Sequence, residues 1–286
     1  MRPIYNIFFL LSSAAVLVAC NPEVNFGEQY KKSIYIVNGN NILYEKEYNF
    51  KDEDKTINIS VYCGGTLPTP NDIEVKLELD PLLLDSFNII SLKSDPKYVN
   101  KTMIPQSNYN LNNPTITIKA GNEYGVLKIP FVLDGLHVDS SYVLPMKIVS
   151  NNLNYEVNPK LNKIIFGIET MNDFSGEYSG SSKELPNTSR SVRPYLKAIS
   201  ENQVRMPIHN LSGENEFLNT NFMVLTIEED GTVSITPWEN AQIIEMGTST
   251  YDKETFSFDL HYSFINNDGK EVSVNEKIMN LNAIKE

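Results

Sequence analysis

Cysteine, histidine and tryptophan are scarce. The 286-residue chain has two, three and one of them. Two cysteines cannot build a disulfide framework or a metal site of several thiolates. His137, His209 and His261 stand apart, with no HxxxH or CxxC companion, so no metal-ligand set is legible. Cations are short as well: 24 Lys and Arg face 36 Asp and Glu, for a net charge of -12. A nucleic-acid binder needs basic patches to displace condensed counterions, and that class is excluded. Glycine (14) and proline (15) are too few for a collagen-like or low-complexity chain. Beyond the first 19 residues no stretch approaches the ~20 apolar residues of a membrane-spanning helix.

What is abundant points to strands and turns. There are 34 asparagines, 15 tyrosines and 13 phenylalanines. Asparagine supplies turns and tolerates left-handed backbone, and the aromatics favour strands. Hydrophobic residues make up 41% of the chain, enough for packed cores.

The first 19 residues, MRPIYNIFFLLSSAAVLVA, carry one charge, Arg2, ahead of a short apolar run. That is the shape of an export signal. Leu17-Val18-Ala19-Cys20 resembles the bacterial lipobox, which implies cleavage before Cys20, acylation of its thiol and a lipid anchor without a spanning helix. Residues 20–33 then read as a tether. With Cys20 lipidated, Cys63 has no partner and reads as a buried, inert thiol.

From residue 34 the pattern alternates. Ile57, Ile59 and Val61 share one face; Val75, Leu77 and Leu79 alternate with Glu74, Lys76, Glu78 and Asp80. These are half-buried strands of an antiparallel arrangement. Residues 82–98 have room for one short helix, and residues 92–113 read as an excursion. Strands follow at 115–118, 126–132, 142–150 and 163–168, with Pro130 and Pro145 expected at edges or bulges. Later, Phe222–Ile227 and Thr232–Thr236 flank Asp230-Gly231, a strong hairpin signal. Phe256, Phe258, Leu260, Tyr262 and Phe264 alternate along one face, and Asn266-Asn267-Asp268-Gly269 turns the chain towards Val272 and Val274.

"IPFVLDGL", "YVLPMKIVSNN" and "KIIFGIE", behind a lipobox-like cysteine, resemble the DUF1735 family of Bacteroides lipoproteins over about residues 30–170. "FSGEYSGS", "EDGTVSI" and "YDKETFSFDLHYSF" resemble the DUF4361 family, which commonly follows it, over about 172–282. The expected fold is all-β. An immunoglobulin-like β-sandwich spans 34–170, and a small lipocalin-like antiparallel β-barrel spans 171–286. The resemblance implies a binding or spacer role in a lipid-anchored protein of the outer membrane, facing the cell surface.

No GxSxG elbow, phosphate-cradling loop or DxxDxDxE run is present. Asp134 to Asp139 reads as a strand-connecting turn. The expectation is a non-enzyme without cofactor or metal that binds an oligo- or polysaccharide as part of a polysaccharide-utilisation system. Sugars are gripped by flat aromatic rings and by amide, carboxylate and guanidinium hydrogen bonds. The candidate residues are Trp238 with Asn240, Tyr195 with Arg193, and Tyr251 beside Asp252; Tyr98 and Tyr109 mark a further loop surface. Plain packing is the alternative role for each ring. Two other functions stay open: an accessory subunit contacting a TonB-dependent transporter or neighbouring lipoprotein, and a glycoside hydrolase with dispersed carboxylates.

Overall fold

The computed structural model describes residues 27–281, apart from Asn187 and Asn267 and the side chain of Asn215. The export signal, Cys20 and the first half of the tether lie outside the described residues. The chain forms an all-β protein of two units.

The N-terminal unit holds β1 (Ser33–Ile36), β2 (Leu43–Asn49), β3 (Thr56–Gly64), β4 (Ile73–Leu79), helix α1 (Pro81–Ser94), β5 (Thr102–Met103), β6 (Thr115–Ile118), β7 (Tyr124–Pro130), β8 (Tyr142–Asn151), β9 (Glu156–Val157) and β10 (Lys163–Met171). One sheet has the order β7-β3-β1-β9. The other has the order β2-β10-β8-β4-β6, with β5 beside β8. The alternation of the sequence drives their packing. Ile57, Ile59 and Val61 of β3 meet Val75, Leu77, Met146 and Phe166 from the facing sheet, all at most 1% exposed. Each such aliphatic side chain contributes roughly 2 kcal/mol by leaving water. Cys63 lies in this core at 6% exposure, and burial pushes its thiol pKa up, as an inert thiol requires.

Two details depart from the sequence reading. The sandwich is not purely antiparallel, because β2 runs parallel to β10 along Leu43–Asn49. The chain crosses from one sheet to the other after β1, and so lies beside the last strand in the same direction. Pro145 also sits in β8, an interior strand, rather than at an edge or bulge. Its carbonyl accepts the Asp80 N–H at 3.0 Å, so its missing donor falls on the β4 side, where β4 has already ended at Leu79.

Helix α1 starts with Pro81 at its first turn, where a missing N–H costs nothing. Leu84, with Leu83 and Phe87, packs on the outer face of the sandwich against Val143 and Ile165.

The C-terminal unit holds β11 (Gly176–Glu184), β12 (Thr188–Val192), β13 (Tyr195–Ala198), β14 (Gln203–Pro207), β15 (Phe222–Ile227), β16 (Thr232–Pro237), β17 (Ile243–Glu245), β18 (Ser249–Asp252), β19 (Ser257–Ile265) and β20 (Glu271–Asn280). Each barrel strand pairs antiparallel with the next, β11-β13-β14-β15-β16-β18-β19-β20, and β20 returns to β11 to close eight strands. Closure removes the exposed edges that an open sheet presents. Gly180 makes the seam possible: a Cβ there would lie 1.9 Å from the Lys277 carbonyl oxygen. Gly231 takes φ +87° in the Asp230-Gly231 hairpin, as that turn demands.

The barrel interior is filled. Tyr178, Leu196, Met206, Leu225, Phe258 and Leu260 are at most 1% exposed. Phe256 does not join this inward row, against the reading from alternation. It precedes β19 in a turn, at φ +50° and 44% exposed.

A cleft at one end of the barrel

The chain between β10 and β11 is pinned by a buried side chain. Asn172, 2% exposed, donates to the carbonyls of Ser200 (2.7 Å) and Gln203 (2.9 Å) and accepts the Phe174 N–H at 3.0 Å. The entry to the barrel is thereby tied to the β13–β14 turn, and Phe174 is set over the barrel end. Phe174 meets Tyr251 edge-on, with ring centroids 5.1 Å apart, and Tyr251 packs against Phe258 at 4.6 Å. An aromatic stack thus runs from the barrel rim into its core.

Around that stack the turns at this end enclose a cleft of about 1110 Å³. The β15–β16 hairpin lends Glu228, Glu229 and Asp230; the β13–β14 turn lends Glu201 and Asn202; the β18–β19 turn lends Lys253 and Phe256. Lys51, from the β2–β3 turn of the sandwich, closes one side through an ion pair with Asp173 at 2.5 Å. Asp173 is held below the usual carboxylate range chiefly by its hydrogen bond to Lys51.

Phe256 is presented by its backbone. Asp252 accepts the N–H groups of Glu254 (2.8 Å) and Thr255 (3.4 Å), which bends the chain after β18. The Phe256 carbonyl then accepts the Asn280 N–H at 3.0 Å. Together these bonds hold a large side chain in the left-handed region, at a cost of order 1 kcal/mol, with its ring partly in solvent.

The residues singled out from sequence are not gathered here. Only Tyr251 lines the cleft, 6% exposed, and burial pushes its hydroxyl up to about 12. Trp238 lies between the two units. Its ring meets His137 of the sandwich edge-on at 6.1 Å and the Arg205 guanidinium at 5.0 Å. Arg205, 1% exposed on the outer wall of the barrel, is paired through both terminal nitrogens with Asp139 of the sandwich, one contact being 2.6 Å. Burial pushes Asp139 up, but Arg205 and then Lys197 outweigh it, and its pKa is lowered. The turn at residues 134–139 therefore connects strands and also docks the two units. Asn240 is exposed, and its N–H donates to the Asn219 carbonyl at 2.8 Å. Tyr195 is 56% exposed and lines a separate groove of about 580 Å³ beside Lys197 and Phe222. Arg193 pairs with Glu177 at 2.9 Å on the surface. Tyr98 donates to Asn88 at 2.9 Å, and Tyr109 is buried in the sandwich core.

Sequence reasoning passed over Phe256 by counting it into the apolar row. The signal that sets it apart is Asp252-Lys253-Glu254-Thr255, a turn-forming run directly ahead of it. It also passed over a buried polar group in the barrel. Tyr262 donates to Glu276 at 2.5 Å, Ser182 donates to Glu276 at 3.2 Å and lies 2.6 Å from His209 Nδ1. Burial dominates the shift of Glu276, raising its carboxyl to about 7 against the two hydroxyl bonds. Burial and the nearby Arg190 lower His209. Glu276 bonds to Ser182 and Tyr262, not to the histidine, so these groups lack the acid–histidine–serine order of a hydrolytic triad. Among the described residues, no group of three or more His, Cys, Asp or Glu is arranged to hold a metal ion.

A sandwich followed by a filled, closed barrel with an aromatic-floored cleft at its rim is a two-unit all-β architecture. The model of one family's N-terminal domain matches residues 30–154, and the model of its C-terminal domain matches residues 162–279. The chain belongs to this family. The second match begins ahead of β10, a strand that the fold places in the sandwich. A DUF1735-containing multidomain protein of Bacteroides ovatus is 18% identical, with 87% of this chain and 94% of that chain covered and a TM-score of 0.66. An auxiliary nutrient binding protein of Bacteroides thetaiotaomicron is 17% identical, with 83% and 90% covered and a TM-score of 0.59. These likenesses carry the fold. No curated protein matches the sequence.

Proposed function

We propose that this protein captures a saccharide nutrient in the barrel-end cleft, without catalysis, as a lipid-anchored component of the outer membrane facing the cell exterior. The observation that carries the reading is the cleft itself: an open volume of about 1110 Å³, floored by Phe174 and Tyr251 and flanked by the exposed Phe256. A flat ring beside carboxylates and an amide is what a sugar face with its hydroxyls requires. The nutrient-binding neighbour of the same fold supports the coarser part. The lipobox-like Cys20 supports the anchor. Tethering raises local concentration, so modest affinity at one site suffices.

The test is affinity gel electrophoresis of the chain from residue 21 through immobilised glucan, mannan, xylan and galactan, alongside a reducing-sugar assay. Retardation by at least one polysaccharide, weakened about tenfold in Phe256→Ala and without sugar release, is expected. Retardation by none of them refutes capture, and sugar release establishes a hydrolase.

One observation favours a second reading, an accessory subunit. The outward face of α1 exposes Leu82, Ile89 and Ile90 at 74%, 55% and 64%. A surface helix that is apolar on its outer side is suited to a partner protein such as a transporter or neighbouring lipoprotein. Co-purification of a membrane partner that is lost in Ile89→Asp, with no polysaccharide retained, would establish that role in place of capture.

A further inference from the structure

The charge of the cleft sets which saccharides it can take; this inference rests on the capture reading above. Five carboxylates line the opening, Asp173, Glu201, Glu228, Glu229 and Asp230, against two ammonium groups. Both cations are engaged. Lys51 is paired with Asp173, and Lys253 donates to the Glu229 carbonyl at 2.6 Å. Asp230 accepts the Thr232 N–H at 2.9 Å and stays ionised, its pKa lowered chiefly by that backbone bond. Glu201, Glu228 and Glu229 have no ion-pair partner among the described residues. A sugar ring seated in the cleft has these side chains for its walls, and charges in such close quarters are incompletely screened at ordinary salt.

We propose that the cleft admits uncharged and amino-substituted oligosaccharides and excludes those bearing uronate or sulfate groups. The mechanism is repulsion. A carboxylate on the ligand beside one of these side chains is repelled even in water, and several such neighbours act together. An ammonium group on the ligand gains by the same rule.

The experiment uses matched ligands. A neutral polysaccharide that the protein retains is oxidised at its primary hydroxyls, which gives the uronate on the same backbone. The dissociation constants of the two forms are measured at low salt and at 0.5 M salt (roughly a 4 Å Debye length). The oxidised form is expected to bind at least about tenfold more weakly at low salt, with the gap closing at high salt. The triple variant Glu201→Gln, Glu228→Gln, Glu229→Gln alters three exposed side chains; a thermal melt checks its fold. Its ratio of neutral to oxidised affinity is expected to fall towards one. Equal binding of the two forms by the unaltered protein overturns the inference while capture stands. A gap that neither salt nor the triple variant narrows assigns the loss to a missing hydroxyl contact and also overturns it. If no polysaccharide is retained at all, capture fails and this inference falls with it.

Discussion

The sandwich and the barrel bury their interiors by opposite rules. The sandwich core is almost wholly aliphatic and aromatic, drawn from two facing sheets. The barrel closes on itself and places a carboxyl, an imidazole and two hydroxyls among its apolar side chains. The stability of an apolar core depends little on pH. A core with a buried carboxyl depends on it strongly, because folding changes the affinity of that group for a proton. The two units should therefore answer differently to cavity creation and to pH.

The largest expected effect breaks the sandwich. Ile59→Ala, at a site 1% exposed, should cost about 3–4 kcal/mol of unfolding free energy in urea, with the barrel much less affected. Near-equal loss in both units would show that they unfold as one. Next is the contact between them. Asp139→Asn leaves the Arg205 guanidinium buried without its counter-charge and should cost about 3 kcal/mol, lowering the thermal midpoints of both units by calorimetry. Unchanged midpoints would remove the Arg205–Asp139 pair from the contact that holds the units together.

The third prediction concerns pH. The Glu276 pKa is raised from 4.5 to about 7 by folding, so the folded barrel binds this proton more tightly than the unfolded chain. Its stabilising share is fully present below about pH 4.5 and is lost as pH rises through about 7. Glu276→Gln keeps the shape and abolishes the titration. It should leave the barrel about 2–3 kcal/mol more stable than the unaltered protein at pH 8, relative to their difference at pH 4. Parallel stability–pH curves for the two proteins would contradict this. His209 works in the other direction: its lowered pKa removes stability as pH falls below about 6.5, and the residual slope in Glu276→Gln should carry that sign. The smallest effect is at the cleft. Phe256→Gly relieves the left-handed strain and removes only a half-exposed ring, so its stability should change by less than about 1 kcal/mol in the same urea series.

The sequence shows which residues face inward better than it shows which strands are neighbours. The run from Phe258 to Phe264 and the Asp230-Gly231 hairpin were both legible, because alternation and turn chemistry are local. A barrel was expected, but which strands meet at its seam was not, since β20 and β11 join residues about a hundred positions apart through the close approach at Gly180. Glu276 is instructive. It continues the inward row of Val272 and Val274, yet a lone acid on an apolar face reads as surface until Ser182 and Tyr262 are seen beside it. Trp238 drew attention by rarity, and the structure gives it to Arg205 and His137. The cleft was invisible for a similar reason: its wall is assembled from four separate turns and the β10–β11 link, which only the fold brings together.

The most direct test of capture at the barrel end is titration calorimetry of the retained polysaccharide against the unaltered protein, Phe256→Ala and Trp238→Ala. The account predicts that Phe256→Ala weakens binding about tenfold, while Trp238→Ala changes stability before affinity. Unchanged affinity in Phe256→Ala, together with loss in Trp238→Ala at intact fold, would place the ligand between the two units and contradict it.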